Sequence, residues 1–281
     1  MSGYRVSARF DRNARLLGLP AMERLAGAHV VVLGLGGVGS FAAEALARAG
    51  VGRLTLVDGE RVEESNVNRQ LQALDGELGR TKAEALADRL RRVAPAARID
   101  PVCEFYGEEN GERLVPPGVD FVVDAMDTVV AKLHVVARCL DERIPIVTAL
   151  GAARRIDPTA IQVTDLCESH TDQLAKDVRK YLRRRYGISA REPTGVLAVW
   201  SVEEPRPSLA LPGDEEGIPG ARSRVAGEER RREPKCFGSL AAVTGVFGLA
   251  AAGAVIQRVA GVEPCAHKVL SEAEEKRRRK R

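Results

Sequence analysis

The stretch H-V-V-V-L-G-L-G-G-V-G-S at positions 29–40 decides the fold. A short apolar run is followed by glycines in the spacing G-x-G-x-x-G, and small residues follow them. This order predicts a buried strand, a tight turn and the first turn of a helix. Backbone N–H groups and the helix dipole at such a turn favour a phosphate group. The glycines predicted to bind a nucleotide are Gly34, Gly36, Gly37 and Gly39.

A second apolar run, L-T-L-V at 54–57, ends at Asp58. An acid at this distance from the glycine turn can hold ribose hydroxyls. Four polar residues come next, and they are candidates for phosphate contacts: Asn66, Arg69, Gln70 and Lys82. A helix N-terminus alone is enough for a diphosphate. Two further cations and two amides therefore suit a triphosphate, which carries more charge to neutralise.

A third apolar run, V-D-F-V-V-D-A-M-D at 119–127, ends in the acids Asp124 and Asp127. A carboxylate at such a strand end can hold Mg²⁺ on the phosphates, because hard oxygen ligands and substrate phosphates share this ion. Together these residues predict ATP activation rather than hydride transfer. An NAD-binding oxidoreductase or regulatory subunit is the alternative from another class, and Arg69 and Lys82 argue against it.

Composition bounds the class of protein. The chain has 281 residues, 44% of them hydrophobic and 29% charged, with a net charge of +4. This predicts a soluble globular protein with a sizeable core. Its five cysteines include no C-x-x-C pair, which disfavours disulfides and a four-thiolate zinc site. With no signal-peptide core at the N-terminus, a cytoplasmic location is expected.

The order of elements predicts an α/β protein with a doubly wound, mostly parallel sheet. We expect strands at 29–33, 53–57, 98–102, 119–124 and 144–149, with helices at 9–26, 39–49, 81–93 and 129–141. Residues 1–150 would form the nucleotide-binding unit. Residues 151–262 would extend the same domain with strands near 159–166 and 196–201 in a partly antiparallel arrangement. Residues 263–281 would be a disordered basic tail.

Three further segments carry predictions. The helix expected around 176–186 is strongly basic, and it is either a solvated face or a surface for RNA phosphates. Residues 203–234 are rich in Pro, Gly and charge, which predicts a mobile loop. Residues 236–257 carry no charge and are long enough to span a bilayer. Their Ala and Gly content favours a buried helix, so membrane association is possible but not favoured.

The chain resembles the adenylation domain of the ubiquitin-activating-enzyme superfamily. Within it, the chain is most similar to the tRNA threonylcarbamoyladenosine dehydratase family. Five motifs carry the narrower resemblance: R-F-D-R-N-A-R-L-L-G at 9–18, A-E-A-L-A-R-A-G-V-G-R-L-T-L-V-D at 43–58, N-V-N-R-Q at 66–70, G-x-x-x-x-I-D-P-T-x-I-Q-V-T-D-L at 151–166 and T-G-V-F-G at 244–248.

The resemblance implies roles for particular residues. It implies ATP-phosphate contacts for N-x-N-R-Q and for Lys82, and the metal role for Asp127 rather than Asp124. It also implies that an arginine of the leading helix, either Arg12 or Arg15, reaches the ATP of the partner in a homodimer. Cys236 precedes the late helix; a buried small side chain is favoured there over a thioester-forming thiol.

The resemblance implies a function as well. It is the ATP-dependent dehydration, or cyclisation, of threonylcarbamoyladenosine beside the anticodon of tRNA, through adenylation of its side-chain carboxylate. A sulfur-relay protein is a possible further partner. The alternative is an activator of a Gly-Gly-tailed sulfur-carrier protein of the molybdopterin or thiamine type. The missing zinc cysteines and the basic 176–186 helix argue against it.

Overall fold

The fold is built on one seven-stranded sheet. The structure is a computed structural model that describes residues 5–207, 209 and 237–262. The strands are β1 (His29–Leu33), β2 (Arg53–Val57), β3 (Arg98–Val102), β4 (Phe121–Asp124), β5 (Ile146–Ala149), β6 (Ile161–Asp165) and β7 (Leu197–Ser201). Their spatial order is β3-β2-β1-β4-β5-β7-β6. All neighbours are parallel except β6 and β7, which are antiparallel.

Helices cover both faces of this sheet. They are α1 (Asp11–Leu17), α2 (Leu19–Gly27), α3 (Gly39–Ala49), α4 (Lys82–Val93), α5 (Gly111–Leu114), α6 (Val129–Asp141), α7 (Gln173–Tyr186) and α8 (Ala241–Ala260). Successive side chains of β1 alternate between two cores. Val30 and Val32 pack with α2, α3, α4 and α8, while Val31 and Leu33 pack with α5, α6 and α7. Because both faces are buried, the strand is apolar throughout.

The predicted mostly parallel α/β fold is confirmed, with two local differences. The leading helix is broken at Gly18, which has a φ of +83° and separates α1 from α2. The short helix α5 was not predicted, because its single turn has no measurable periodicity. The extension after Gly151 is partly antiparallel, as expected: β7 pairs with β6 antiparallel but with β5 parallel, and so continues the first sheet.

The uncharged late segment forms α8, a helix of the core. By length and composition α8 could cross a bilayer, yet Val243, Phe247 and Val255 are fully buried in the α2–α3–α4 core. A side chain at Gly248 would overlap the carbonyl oxygen of Val38, so glycine lets α8 approach α3 closely. The structure therefore places this segment as a buried helix. Most of 203–234, all of 263–281 and Cys236 lie outside the described residues.

Candidate active site

The glycine turn lies at the carboxyl edge of the sheet, between β1 and α3. Gly34 has a φ of +83°, and a Cβ atom there would lie 2.8 Å from the carbonyl oxygen of Ala125, in the loop after β4. A Cβ at Gly39 would overlap the carbonyl oxygen of Gly34. Both positions therefore require glycine. The turn aims the free N–H groups of the α3 N-terminus at this edge, as the motif predicts.

Asp58 closes the neighbouring side of the turn. Its carboxylate accepts hydrogen bonds from the backbone N–H of Leu35, at 2.7 Å, and of Glu60, at 2.8 Å. Burial raises the pKa of Asp58 above its ordinary value, and the positive charge of Lys82 opposes this shift. Each carboxylate oxygen keeps a second lone pair, so ribose hydroxyls can still donate to it.

Lys82 is the first residue of α4 and lies beside Asp58. Its side chain is only 4% exposed, and its ammonium is bonded to the carboxylate of Glu60. The Glu60 side chain is 57% exposed. The buried ammonium is thus neutralised by an acid that faces solvent. A phosphate group can replace such an acid without leaving a buried charge unpaired.

The N-V-N-R-Q segment packs against the glycine turn. The side chain of Arg69 lies beside Gly37, and its guanidinium donates to the carbonyl of Ser65 and to Asn68, both at 2.8 Å. The amide of Gln70 lies beside Gly36. Asn66 is buried and instead shapes the segment, because its side chain accepts from the N–H of Glu63 at 3.2 Å.

The two acids after β4 have different environments. Asp124 is fully buried, with Lys132 at 2.7 Å and the hydroxyl of Thr148 at 2.6 Å. Asp127 is exposed, and its only described hydrogen bond is a weak one from Thr128 at 3.5 Å. Asp124 is therefore committed to the interior, whereas Asp127 has free oxygens at the site edge. The assignment of the metal role to Asp127 stays a prediction that this difference supports.

Arg12 and Arg15 are not brought to the site of their own chain. The neighbouring Asn13 donates to the carbonyl of Arg48, in the last turn of α3, while the first turn of α3 belongs to the site. Eleven helical residues separate these two ends by roughly 16 Å. Arg12 is exposed, and Arg15 forms an exposed ion pair with Asp11 at 2.8 Å.

Phe105 is a residue of the site that the sequence did not identify. Its side chain is 67% exposed, and its ring covers Gly59, so that a Cβ there would lie 2.6 Å from the ring. Gly59 is the residue after Asp58, so the exposed ring of Phe105 offers a surface beside Asp58 on which a base can stack. The only signal in the sequence was an aromatic residue shortly after a strand.

Gln72 was also missed. It is buried and donates to the carbonyl of Leu35 at 2.7 Å, so it supports the glycine turn.

One cavity of about 820 Å³ lies elsewhere, at the amino edge of the sheet, beside Asp120, Arg143 and Ile144. Because the glycine turn and the acids lie at the carboxyl edge, this cavity is not the predicted site. Burial raises the pKa of the Cys139 thiol to about 12, which makes that cysteine unreactive.

Comparison with known proteins decides the family. The ThiF family model matches residues 10–280. The chain belongs to the ThiF family. It is 38% identical over 253 residues to the tRNA threonylcarbamoyladenosine dehydratase of Escherichia coli, covering 89% of this chain and 93% of that protein. It is 43% identical over 196 residues to the Bacillus subtilis protein of the same name, covering 70% of this chain and 75% of that protein.

A solved structure supports the same grouping within the family. The E. coli dehydratase in complex with ATP matches with a TM-score of 0.78 and 36% identity, covering 92% of this chain and 98% of that one. The E. coli molybdopterin-synthase adenylyltransferase is 35% identical over only 151 residues, or 53% of this chain. The resemblance to the dehydratases is thereby confirmed, and the sulfur-carrier activators are more distant relatives.

Proposed function

We propose that this protein is an ATP-dependent dehydratase that cyclises threonylcarbamoyladenosine in tRNA. One observation carries the ATP part of the proposal: the buried ammonium of Lys82, beside Asp58 and the glycine turn, faces an acid that a phosphate can replace. The substrate part rests on relatives of this name that match the chain along most of its length.

The reaction begins at a carboxylate, which is a poor electrophile. One of its oxygens attacks the α-phosphorus of ATP, and pyrophosphate leaves. Lys82 and Arg69 stabilise the charge that grows on the phosphates, because fixed cations in a partly buried site need no reorganisation. Asp58 orients the ribose, and the N–H groups of the α3 N-terminus bind phosphate oxygens.

The second step closes the ring. An atom of the ureido group attacks the acyl carbon of the adenylate and loses its proton, and AMP leaves with the former carboxylate oxygen. Because both reacting groups belong to one side chain, their effective concentration is high and no protein nucleophile is needed. The net change in the nucleoside is the loss of one water.

Mg²⁺ suits the residues at this edge. The described residues contain no cluster of three acidic, histidine or cysteine side chains, so an ion held by protein alone is not provided for. Mg²⁺ bound to nucleotide needs only one or two carboxylates, and Asp127 has free oxygens in the right place. When bound there, Mg²⁺ would neutralise phosphate charge beside Lys82.

Phe105 completes the nucleotide site in this proposal. With Asp58 holding the ribose, the adenine base would stack on the exposed Phe105 ring above Gly59. A flat aromatic partner binds any purine similarly. Replacement of Phe105 should therefore weaken ATP and GTP binding alike.

The proposal includes a homodimer. Arg12 and Arg15 are far from their own site, and α1 and α2 expose two large apolar side chains beside them, Leu16 at 83% and Leu19 at 58%. Both features suit a second copy whose site receives an arginine. Mixing Lys82→Ala protein with the Arg12→Ala/Arg15→Ala variant should then restore about a quarter of wild-type activity, because random exchange of subunits makes about half of the dimers mixed and each of these has one intact site of two.

Two expectations from the sequence stay predictions. No contact among the described residues points to the sulfur-relay protein, so this partner stays a prediction. The expected cytoplasmic location is supported by the packing of α8, which buries Val243, Phe247 and Val255 in the core.

Nucleoside mass spectrometry tests the proposed function. The protein is incubated with tRNA that carries threonylcarbamoyladenosine, ATP and Mg²⁺, and the nucleosides are then analysed. The proposal predicts the loss of one water from that nucleoside, with formation of AMP. No mass change, together with pyrophosphate exchange that depends on a Gly-Gly-tailed carrier protein, would favour the sulfur-carrier activator instead.

A further inference from the structure

Helix α7 presents a row of cations on the face opposite its buried side. Ala175, Val178 and Leu182 are buried against α6 and the second core. At 3.6 residues per turn, the opposite side of the helix carries four cations in one stripe. They are Lys176, Lys180, Arg183 and Arg184. Lys176, Lys180 and the adjacent pair Arg183–Arg184 follow one another at roughly one helical turn, so the stripe is about 12 Å long.

These cations have no acidic partners in the described part of the chain. None of the ion pairs there includes an α7 residue, and the helix itself has one acid, Asp177. Three exposed arginines elsewhere have acidic partners and serve as a reference: Arg91 with Asp88, Arg98 with Asp100, and Arg113 with Glu104. Unpaired like charges one turn apart repel each other, so their grouping costs free energy unless an anion binds.

The other basic residues of α7, Arg179 and Arg185, lie outside this stripe. Arg179 is half-buried and donates to the backbone carbonyl and hydroxyl of Ser169, which fixes the loop before the helix. Burial lowers the pKa of Arg179 relative to an ordinary arginine. The Tyr181 ring lies 6.0 Å from Arg185 on the flank of the helix and 5.0 Å from Lys180 of the stripe. The structure thus divides the basic run into a structural arginine and a stripe of cations on the outer side.

The stripe begins at the edge that carries the active site. Asp172 caps α7 and accepts a hydrogen bond at 2.7 Å from the N–H of Gly151, in the loop directly after β5. Lys176, in the first turn, is therefore near the carboxyl edge of the sheet. The remaining cations lead away from it, along the outer side of the α6–α7 layer.

We propose that the stripe Lys176–Lys180–Arg183–Arg184 binds the phosphate backbone of the RNA whose modified base enters the active site. This rests on the proposed function, since it assumes an RNA substrate. A flexible acidic peptide or an anionic membrane would meet the same charges. RNA fits best because its phosphates continue from the reacting nucleotide for the length of the stripe, starting at the site edge.

The test compares two variants of equal charge. Lys176→Ala/Arg183→Ala/Arg184→Ala removes three unpaired cations. Arg91→Ala/Arg98→Ala/Arg113→Ala removes three exposed cations that already have acidic partners. Thermal unfolding of both checks that they fold. Binding of tRNA carrying threonylcarbamoyladenosine is then measured over a range of KCl concentrations, with steady-state turnover of the same tRNA.

The α7 variant should bind tRNA about tenfold more weakly or worse, and its slope of log affinity against log salt should be less steep by about 2 to 3. Its KM for tRNA should rise by a similar factor, while kcat at saturating tRNA stays within about twofold of wild type, because the ATP site is untouched. The paired-arginine variant should keep most of the wild-type slope.

The outcomes separate this inference from the proposed function. If wild-type protein dehydrates the tRNA but both variants lose the same slope, only net charge matters and the α7 surface is overturned. If the α7 variant keeps its tRNA affinity but no longer binds phosphatidylserine vesicles, the stripe is a membrane contact and the proposal is equally overturned. If α7-dependent tRNA binding is found without dehydration, the surface stands and the proposed reaction falls.

Discussion

Two buried lysines lie near the carboxyl edge of the sheet, and their partners differ. Lys82, at the start of α4, is bonded to Glu60, whose side chain is largely in solvent. Lys132, in α6, is bonded to Asp124, and neither side chain has any exposed surface. Lys132 also donates to Thr148 at 3.1 Å and to the carbonyl of Ala149 at 2.9 Å. We call Lys82–Glu60 the open pair, because its acid faces solvent, and Lys132–Asp124 the sealed pair, because both side chains are enclosed between β4 and β5.

In the proposed function, this difference separates a lysine that binds ATP from a structural one. A buried ammonium needs a counter-charge at all times. When that charge is an exposed carboxylate, a ligand phosphate can take its place while the carboxylate returns to water. When the charge is itself enclosed, exchange would leave two uncompensated ions. Under the proposed function, Lys82 is thus available to ATP, while Lys132 holds the carboxyl ends of β4 and β5 together, three residues before Asp127.

The sealed pair should give the largest effect on stability. Lys132→Met leaves the Asp124 carboxylate buried without its cation, so we expect a loss of about 3 to 5 kcal/mol in the free energy of unfolding. Urea unfolding measures it. The Lys132→Met/Asp124→Asn variant is the control, because it removes both charges and should recover part of the loss. A single variant as stable as wild type would show that the pair is not sealed.

The open pair should affect catalysis instead. Lys82→Ala frees Glu60 into solvent, so the free energy of unfolding should change by less than about 1 kcal/mol. The loss of a cation on the transferring phosphates should lower kcat by about 100- to 1,000-fold. Urea unfolding and single-turnover AMP formation measure the two effects. Normal turnover in this variant would remove Lys82 from the site.

Asp58 gives a pH-dependent effect on the open side. Asp58→Asn should weaken ATP binding by about tenfold or more near neutral pH, because hydrogen bonds from the ribose to a charged acceptor are lost. Burial raises the pKa of Asp58, so the wild-type carboxylate should protonate at a higher pH than an ordinary aspartate.

As the pH falls through that raised pKa, the affinities of wild type and variant should converge. The affinities of both proteins are measured by calorimetric titration at each pH. Their ratio is independent of the protonation of ATP itself, which affects both proteins equally. A ratio of affinities that stays constant down to the pH range of ordinary aspartates would contradict the role given to Asp58.

Glu60 should give the smallest effect. If it neutralises Lys82 only until ATP arrives, Glu60→Gln removes a competitor and should tighten ATP binding by about two- to fivefold. Glu64→Gln is a nearby control that removes an exposed acid with no ion pair to Lys82. Weaker ATP binding in Glu60→Gln would mean that Glu60 helps to bind the nucleotide.

The sequence predicts the local parts of this comparison and misses the long-range ones. The strand, glycine turn and helix from His29 to Ala49 follow from a contiguous pattern, and all three were predicted within a residue of their bounds. Lys132 could not be found this way. A lysine in an amphipathic helix is usually solvated, and its burial here depends on Asp124 and Thr148, which lie on two other elements.

Phe105 shows the same limit from the opposite side. An exposed aromatic residue after a strand carries no signal until β2 and β3 are paired, which brings its ring over Gly59. Arg69 and Lys82 were predicted because they belong to a motif, whereas residue type alone would have left them as surface charges. Chain neighbours are thus predictable, while the partner of a buried charge requires the fold.

Isotope transfer tests the central claim that the reaction proceeds through adenylation of the carboxylate. The carboxylate of threonylcarbamoyladenosine in tRNA is labelled with ¹⁸O, and the AMP formed in one turnover is analysed by mass spectrometry. Attack of the carboxylate on the α-phosphorus predicts one ¹⁸O atom in AMP and a nucleoside that has lost water. Unlabelled AMP, or label found in inorganic phosphate beside ADP, would contradict this account.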